Sequence, residues 1–317
     1  MAHSIDTPAR LLSTTALGEV AVDEAATIAL YGWEEASAHR ESARVAVGDA
    51  GQVHLDIYPA AGAARGTVVF VGGLSNHALG YSDFSWRLSE RGWNVVGVDL
   101  RGHGRSSGRR GHFTTETIIE DLAAAGAHAK ERFGGDVALM GSSLGGYYAL
   151  VGANAIEGFT CAVCHWIFLP NEPVTKKDAR MKPVALLMDK LLPGLMLPTK
   201  AVANWDGVCD DPELKQRCFE DPLMVWKYSA RALASGFRYA PARSLLNLRI
   251  PTRVILGDRD TMTPMSYTRG IYDRLQGDKE WVTIPDAGHM GGLVEHQGEM
   301  LDAVDDFLGR RMGVAAG

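Results

Sequence analysis

Along the chain, short β-branched runs alternate with longer stretches whose apolar positions recur every three or four residues. GTVVFVGG precedes a helical pattern near 82–91, WNVVGVDL one near 115–132, and DVALMGSS one that starts at Leu144. The rhythm returns towards the C-terminus as RVILGDRD, a helix near 264–275, EWVTIPDAG and a closing helix near 292–310. Such alternation predicts a mostly parallel sheet joined by crossover helices that cover both of its faces. Ahead of it, RVAVGD and VHLDIYP predict a leading hairpin, and residues near 20–38 a helical prefix.

Between Pro170 and Leu246 the β rhythm stops. Pro-punctuated helical segments rich in Leu and Met replace it, among them MKPVALLMDKLLPGLMLP and DPLMVWKYSARALASGF. This stretch leaves after a strand at 159–169 and returns before one at 253–256, which places it over the carboxyl ends of the strands, where open α/β sheets bind ligands. It reads as a helical cap. Val184, Leu187, Met188 and Leu191 recur at helical spacing, and an inward-facing stripe of this kind would close an apolar pocket. The chain therefore divides into a helical prefix at 1–39, an α/β core at 40–169 and 247–317, and a helical cap at 170–246.

With 317 residues, 46% of them hydrophobic, the chain is long enough for one large α/β domain with a buried core. Its formal net charge of -6 offers no cationic field to a phosphate backbone, so nucleic acid is not an expected partner. Glu19, Asp23 and Glu24 interrupt the apolar positions near the N-terminus, and no window reaches the length of charge-free apolar sequence that crosses a bilayer. A cytoplasmic protein without integral membrane association is expected. Cys161-Ala-Val-Cys164-His165 matches a haem-attachment spelling, but FTCAVCHWIFL reads as a buried strand, and the thiols are expected to pack as small hydrophobes.

The strongest chemical signal is Gly141-Ser142-Ser143-Leu144-Gly145-Gly146, directly after the strand VALM and before an apolar helix. A serine on such a strand-to-helix elbow projects its hydroxyl, and the glycines permit close backbone approach. Ser143 is the expected nucleophile. It needs a base to take its proton and a carboxylate to hold that base. Of the ten histidines, only His289 follows the last expected strand and precedes the last helix, which makes it the expected base. Gly257-Asp258-Arg259-Asp260 leaves the preceding strand, and Asp260 is preferred over Asp258 as the acid because it lies further out on the loop. Asp258 is expected to cap a turn or pair with a cation.

From about Val68 to the C-terminus the chain resembles the monoacylglycerol lipase and lysophospholipase branch of the α/β-hydrolases. The residues that carry the resemblance are VVFVGGLSNHALGYSDF, VDLRGHGRSSG, MGSSLGG, EDPL, ILGDRDTMTP and IPDAGH. It implies the α/β-hydrolase fold and hydrolysis of a carboxylic ester, such as an acylglycerol or lysophospholipid, through an acyl-enzyme. The family's oxyanion loop usually reads His-Gly-x-Gly; the aligned residues here are Gly72-Gly73-Leu74-Ser75. The resemblance implies that the backbone N–H groups of Leu74 and Leu144 hold the oxyanion. His103, within the family-like RGHGRS, is expected to shape the core and not to catalyse, while His77 and Tyr81 either line the site or pack beside it.

The expected partner is a small ester, and no metal or organic cofactor is expected. Thioester or carbon–carbon bond hydrolysis by the same triad stays open, as does a non-catalytic binding protein on this scaffold. The sequence carries no signal for oligomeric state.

Overall fold

Eight segments pair into one sheet in the computed structural model, which describes residues 3–6, 24–48, 51–172, 176–201, 205–209 and 211–312. They are β1 (Glu41–Val47), β2 (Gly51–Tyr58), β3 (Gly66–Val71), β4 (Trp93–Asp99), β5 (Val137–Ser142), β6 (Ala162–His165), β7 (Thr252–Gly257) and β8 (Lys279–Ile284). Their order across the sheet is β8-β7-β6-β5-β3-β4-β2-β1. Strands β3 to β8 pair in parallel, and the antiparallel hairpin β1–β2 joins the edge at β4. Every residue of β4 and β5 is buried, as strands covered on both faces require. The mostly parallel sheet expected from the sequence is therefore present.

Two short helices, α1 (Glu24–Tyr31) and α2 (Glu34–Ala38), precede the sheet. The helices α3 (Ser82–Glu90), α4 (Thr115–Phe133) and α5 (Leu144–Ala155) follow β3, β4 and β5. On one face Ile118 and Leu122 of α4 and Leu150 of α5 share an apolar cluster with Val69 of β3 and Leu139 of β5. On the other, Phe84 and Leu88 of α3 pack with Phe70, Val95 and Phe307. Local chemistry sets the helix ends: the Thr114 hydroxyl accepts from Thr117 N at 3.3 Å to cap α4, and Gly134 ends it with φ +65°.

Two expectations need correction here. The prefix is not helical throughout, because His3–Ser4 form a parallel bridge to Ile156–Glu157 and Ile5 is buried; residues 7–23 lie outside the described residues. The strand expected at 159–169 covers only Ala162–His165, since Trp166 has φ +67° and turns the chain out of the sheet.

Between β6 and β7 lie α6 (Lys176–Leu191), α7 (Trp205–Val208), α8 (Pro212–Glu220) and α9 (Ala230–Arg238), with an antiparallel ribbon that pairs Met196–Pro198 with Lys227–Ser229. Most of the inward stripe expected on α6 points outward instead: Val184, Leu187 and Leu191 are 51%, 57% and 66% exposed, while Met188 is half-buried. The buried face of α6 carries Ala185 and Asp189, and Asp189 is tied to α9 by Arg231 at 3.2 Å and Arg238 at 2.8 Å. The remaining helices are α10 (Met265–Arg274) after β7 and α11 (Gln297–Arg311) after β8. Among the described residues, no helix is long and apolar enough to cross a membrane.

Candidate active site

The loops at the carboxyl ends of β3, β5, β6, β7 and β8 converge on one point. Ser75, Ser143, Trp166 and Asp286 are the non-glycine residues with positive φ among the described residues, and each follows one of these strands. Backbone strain of about 1–3 kcal/mol per residue persists only where surrounding structure imposes it.

Ser143 sits between β5 and α5 with φ 56° and ψ -122°. The turn closes because its glycines leave room: a Cβ on Gly141 would stand 1.9 Å from Gly145 O, one on Gly145 2.3 Å from Val71 O, and one on Gly146 2.1 Å from Trp166 O. The acid and histidine loops meet by the same means, since a Cβ on Gly257 would stand 2.1 Å from Ala287 O.

This convergence links Ser143, His289 and Asp260. His289 Nε2 lies 2.7 Å from Ser143 Oγ, and His289 Nδ1 lies 2.7 Å from Asp260 Oδ2. Asp260 Oδ1 also accepts from Met262 N at 2.8 Å, which fixes the carboxylate. A carboxylate can only accept, so Nδ1 carries the proton and Nε2 is left to accept from the serine hydroxyl. All three residues are buried, whereas Asp258 is exposed and takes no part; its neighbour Arg259 pairs with Asp286 at 2.5 Å.

The His289 ring is boxed in by two residues that sequence reading did not single out for the site. Trp166 meets it edge-on at 5.6 Å, and the Trp166 indole N–H donates to Thr263 Oγ1 at 2.8 Å. His165 stacks beneath it at 5.9 Å, with Ser142 Oγ 3.0 Å from His165 Nδ1. Burial, reinforced by the neighbouring His289, pushes His165 down to about 3, so it is neutral at pH 7. It is the histidine of the CAVCH stretch. Cys161 and Cys164 there are free and buried, and burial pushes both thiols up to about 12.

The loop after β3 packs tightly against Tyr81: a Cβ on Gly72 would come within 2.6 Å of the Tyr81 ring. The Tyr81 hydroxyl accepts from Gly73 N at 2.9 Å. On the far side, the Tyr228 hydroxyl accepts from Ser75 N at 2.9 Å and lies 2.8 Å from His103 Nε2, to which it donates. His103 is thus a buried support, pushed down to about 4 chiefly by burial, and it contacts Tyr228, not Ser143. His77 accepts from Gly80 N through Nδ1 at 3.1 Å and donates through Nε2 to Asp221 at 2.8 Å. Leu144, the first residue of α5, carries one of the leading N–H groups that have no acceptor within the helix.

A cavity of about 230 Å³ opens beside Ser143. Its inner wall is mostly apolar, with Leu74, Phe84, Met224, Met262, Met290 and Leu293, and its outer wall comes from α7 and α8 through Trp205, Val208, Leu214 and Cys218. Among the described residues, α6 contributes nothing to this lining.

The family profile described as serine aminopeptidase, S33, matches residues 62–296. A monoacylglycerol lipase of Mycolicibacterium smegmatis is 28% identical over 222 residues, covering 68% of this chain and 77% of that protein. Among solved structures, the monoacylglycerol lipase of Paleococcus ferrophilus superposes with a TM-score of 0.67 at 24% identity, covering 82% of this chain and 99% of that one. A soluble variant of monoglyceride lipase from Saccharomyces cerevisiae, solved with a substrate analogue, gives a TM-score of 0.70 at 20% identity over 86% and 95% of the two chains. With more than half of its length matched, residues 62–296, this chain belongs to the serine aminopeptidase, S33, family of α/β-hydrolases.

Proposed function

We propose that the protein hydrolyses carboxylic esters with an apolar acyl group, with Ser143 as nucleophile, His289 as general base and Asp260 as the acid that orients it. The observation that carries this reading is the unbroken chain of two 2.7 Å contacts from Asp260 through His289 to Ser143, at the floor of an apolar cavity. A binding protein would have no need of a strained, buried serine aligned with a base. The monoacylglycerol lipase named among the relatives supports an acylglycerol or similar lipid ester as substrate class.

In the proposed mechanism Ser143 Oγ attacks the ester carbonyl while its proton passes to His289 Nε2. Asp260 stabilises the resulting imidazolium through the Nδ1–H bond. The N–H of Leu144, and that of Leu74 between the two tyrosine-held amides, receive the carbonyl oxygen as it gains charge. His289 then returns the proton to the departing alkoxide, leaving an acyl-serine. Water repeats the cycle: His289 takes its proton, hydroxide adds to the acyl carbon, and the carboxylic acid leaves as Ser143 regains its proton. Residues 170–246 act as a cap on a core of 40–169 and 247–317, with α7 and α8 as the part that closes the acyl pocket.

The test is hydrolysis of p-nitrophenyl esters from acetate to dodecanoate, alongside labelling by a fluorophosphonate. Activity should rise with acyl length until the pocket fills, by up to about 0.8 kcal/mol per buried methylene, and the label should sit on Ser143. Neither hydrolysis nor a serine adduct would overturn the reading.

A further inference from the structure

Residues 24–38 precede the family match, which begins at residue 62, yet they are built into the wall of the pocket that holds Ser143. α1 is pinned at both ends. At its start Glu24 accepts from Arg40 at 2.6 Å and from Arg105 at 2.9 Å, and both arginines also bind the buried Asp56. At its end the Tyr31 hydroxyl donates to Asp221 Oδ2 at 3.1 Å, the oxygen that also receives the His77 proton, and Thr27 Oγ1 reaches Asp221 Oδ1 at 3.5 Å. One helix thus ties the β1–β2 edge to the segment after α8 and to the loop that carries His77. Gly32, with φ +72°, then turns the chain so that the Trp33 indole stacks on Tyr31 at 4.3 Å and 9°. Both rings line the cavity; Tyr31 is buried and Trp33 half-buried.

We infer that the Tyr31–Trp33 stack is a specificity wall for long acyl chains, supplied by the end of α1 and the turn after it, both outside the matched family region. The inference rests on the ester reading for its substrate class. Trp33 lines the same cavity as Ser143 and lies outside the hydrogen-bonded chain of Ser143, His289 and Asp260, so its role is to meet the acyl chain and not the bonds that form and break. Aromatic rings give a large apolar contact at little conformational cost. Each methylene buried there favours binding by up to about fourfold.

The experiment compares the full chain with Trp33→Ala and Trp33→Phe. The ratio of kcat/KM for p-nitrophenyl dodecanoate to that for the acetate should fall at least tenfold in Trp33→Ala, through KM, and recover most of the way in Trp33→Phe. Calorimetric titration of dodecanoate into Ser143→Ala, with and without Trp33→Ala, reads the same wall without turnover and should show at least tenfold weaker binding. An unchanged ratio, an equal loss on both esters, or dodecanoate binding that is absent or indifferent to Trp33 would each overturn the inference. If the protein cleaves no ester and takes no fluorophosphonate, yet dodecanoate binding depends on Trp33, the proposed function fails and the wall stands.

Discussion

Tyr81 and Tyr228 grip the backbone on either side of Leu74: the first hydroxyl accepts from Gly73 N and the second from Ser75 N, both at 2.9 Å. The amide between them belongs to the residue proposed to hold the oxyanion. Two tyrosines, one in the turn after β3 and one in the ribbon before α9, therefore fix the loop on both sides of that amide.

If that grip aims the Leu74 N–H, Tyr81→Phe and Tyr228→Phe should each lower kcat on p-nitrophenyl butanoate roughly tenfold with little change in KM. Loss of an oxyanion donor outright costs about 10²–10³, and a displaced donor costs less. Each variant also leaves a backbone amide unpaired, so denaturant titration should register a loss of about 1–3 kcal/mol. A parental kcat in both variants would mean that the loop holds its shape unaided.

Asp260 and Asp258 provide a sharper contrast. Only Asp260 touches His289, so Asp260→Asn should reduce kcat by about 10³–10⁴ by favouring the wrong imidazole tautomer, while Asp258→Asn, altering an exposed side chain, should stay within about threefold. Steady-state kinetics at pH 7 decides, and the reverse ranking would remove Asp260 from the triad.

Ser143 holds a φ of 56° that a Cβ makes costly. Ser143→Ala should abolish turnover and keep that strain. Ser143→Gly should also be inactive yet melt at a higher temperature than Ser143→Ala, with about 1 kcal/mol of strain relieved. Equal melting temperatures for the two variants would count against strain at the elbow.

The sheet and its helices were legible because burial on a period of two or 3.6 is a local property, and the elbow because Gly141, Gly145 and Gly146 mark a backbone approach that excludes a Cβ. The contacts that shape the site were not. His77 finds Asp221, and Tyr228 finds both Ser75 and His103, across sequence separations that leave no periodic trace. His165 was hidden in a stretch that spells a haem site. Its position under His289 follows from the register of β6 beside β5, where Ser142 faces it.

Asp56 is one of the buried carboxylates whose pairing makes stability sensitive to acid. Burial alone would raise its carboxyl, but Arg105, His54 and Arg40 outweigh that and hold it well below the usual carboxylate range. An unperturbed Asp side chain titrates at about 3.9. Between the folded and unfolded values the unfolded chain binds more protons, so this contribution is complete above about pH 4 to 5 and is lost as pH falls towards the folded value. Asp56→Asn should cost roughly 1–3 kcal/mol at pH 7, because the buried Arg105 loses one of its three carboxylate partners and keeps Asp99 and Glu24, and should flatten the acid limb of stability against pH. A limb as steep as the parent's in denaturant titrations from pH 7 to 3 would assign acid sensitivity elsewhere.

The last prediction concerns α6, where apolar periodicity alone misassigns the inner face. MKPVALLMDKLL is apolar on nearly every side, so its repeat cannot say which side packs. Asp189 decides. A buried carboxylate must be paired, and Arg231 and Arg238 on α9 offer the partners, which turns the face of Ala185 and Asp189 inward, four residues apart on one side of the helix. The stripe of Val184, Leu187 and Leu191 is then forced outward. Leu187→Ser and Leu191→Ser should each change stability by less than about 0.5 kcal/mol, and their activity profiles against acyl length should superimpose on the parent's. Leu214→Ala on α8, in the pocket wall, should weaken the longest esters selectively by about 1–2 kcal/mol. If the α6 variants shift the acyl-length profile and Leu214→Ala does not, the pocket is closed by α6 after all.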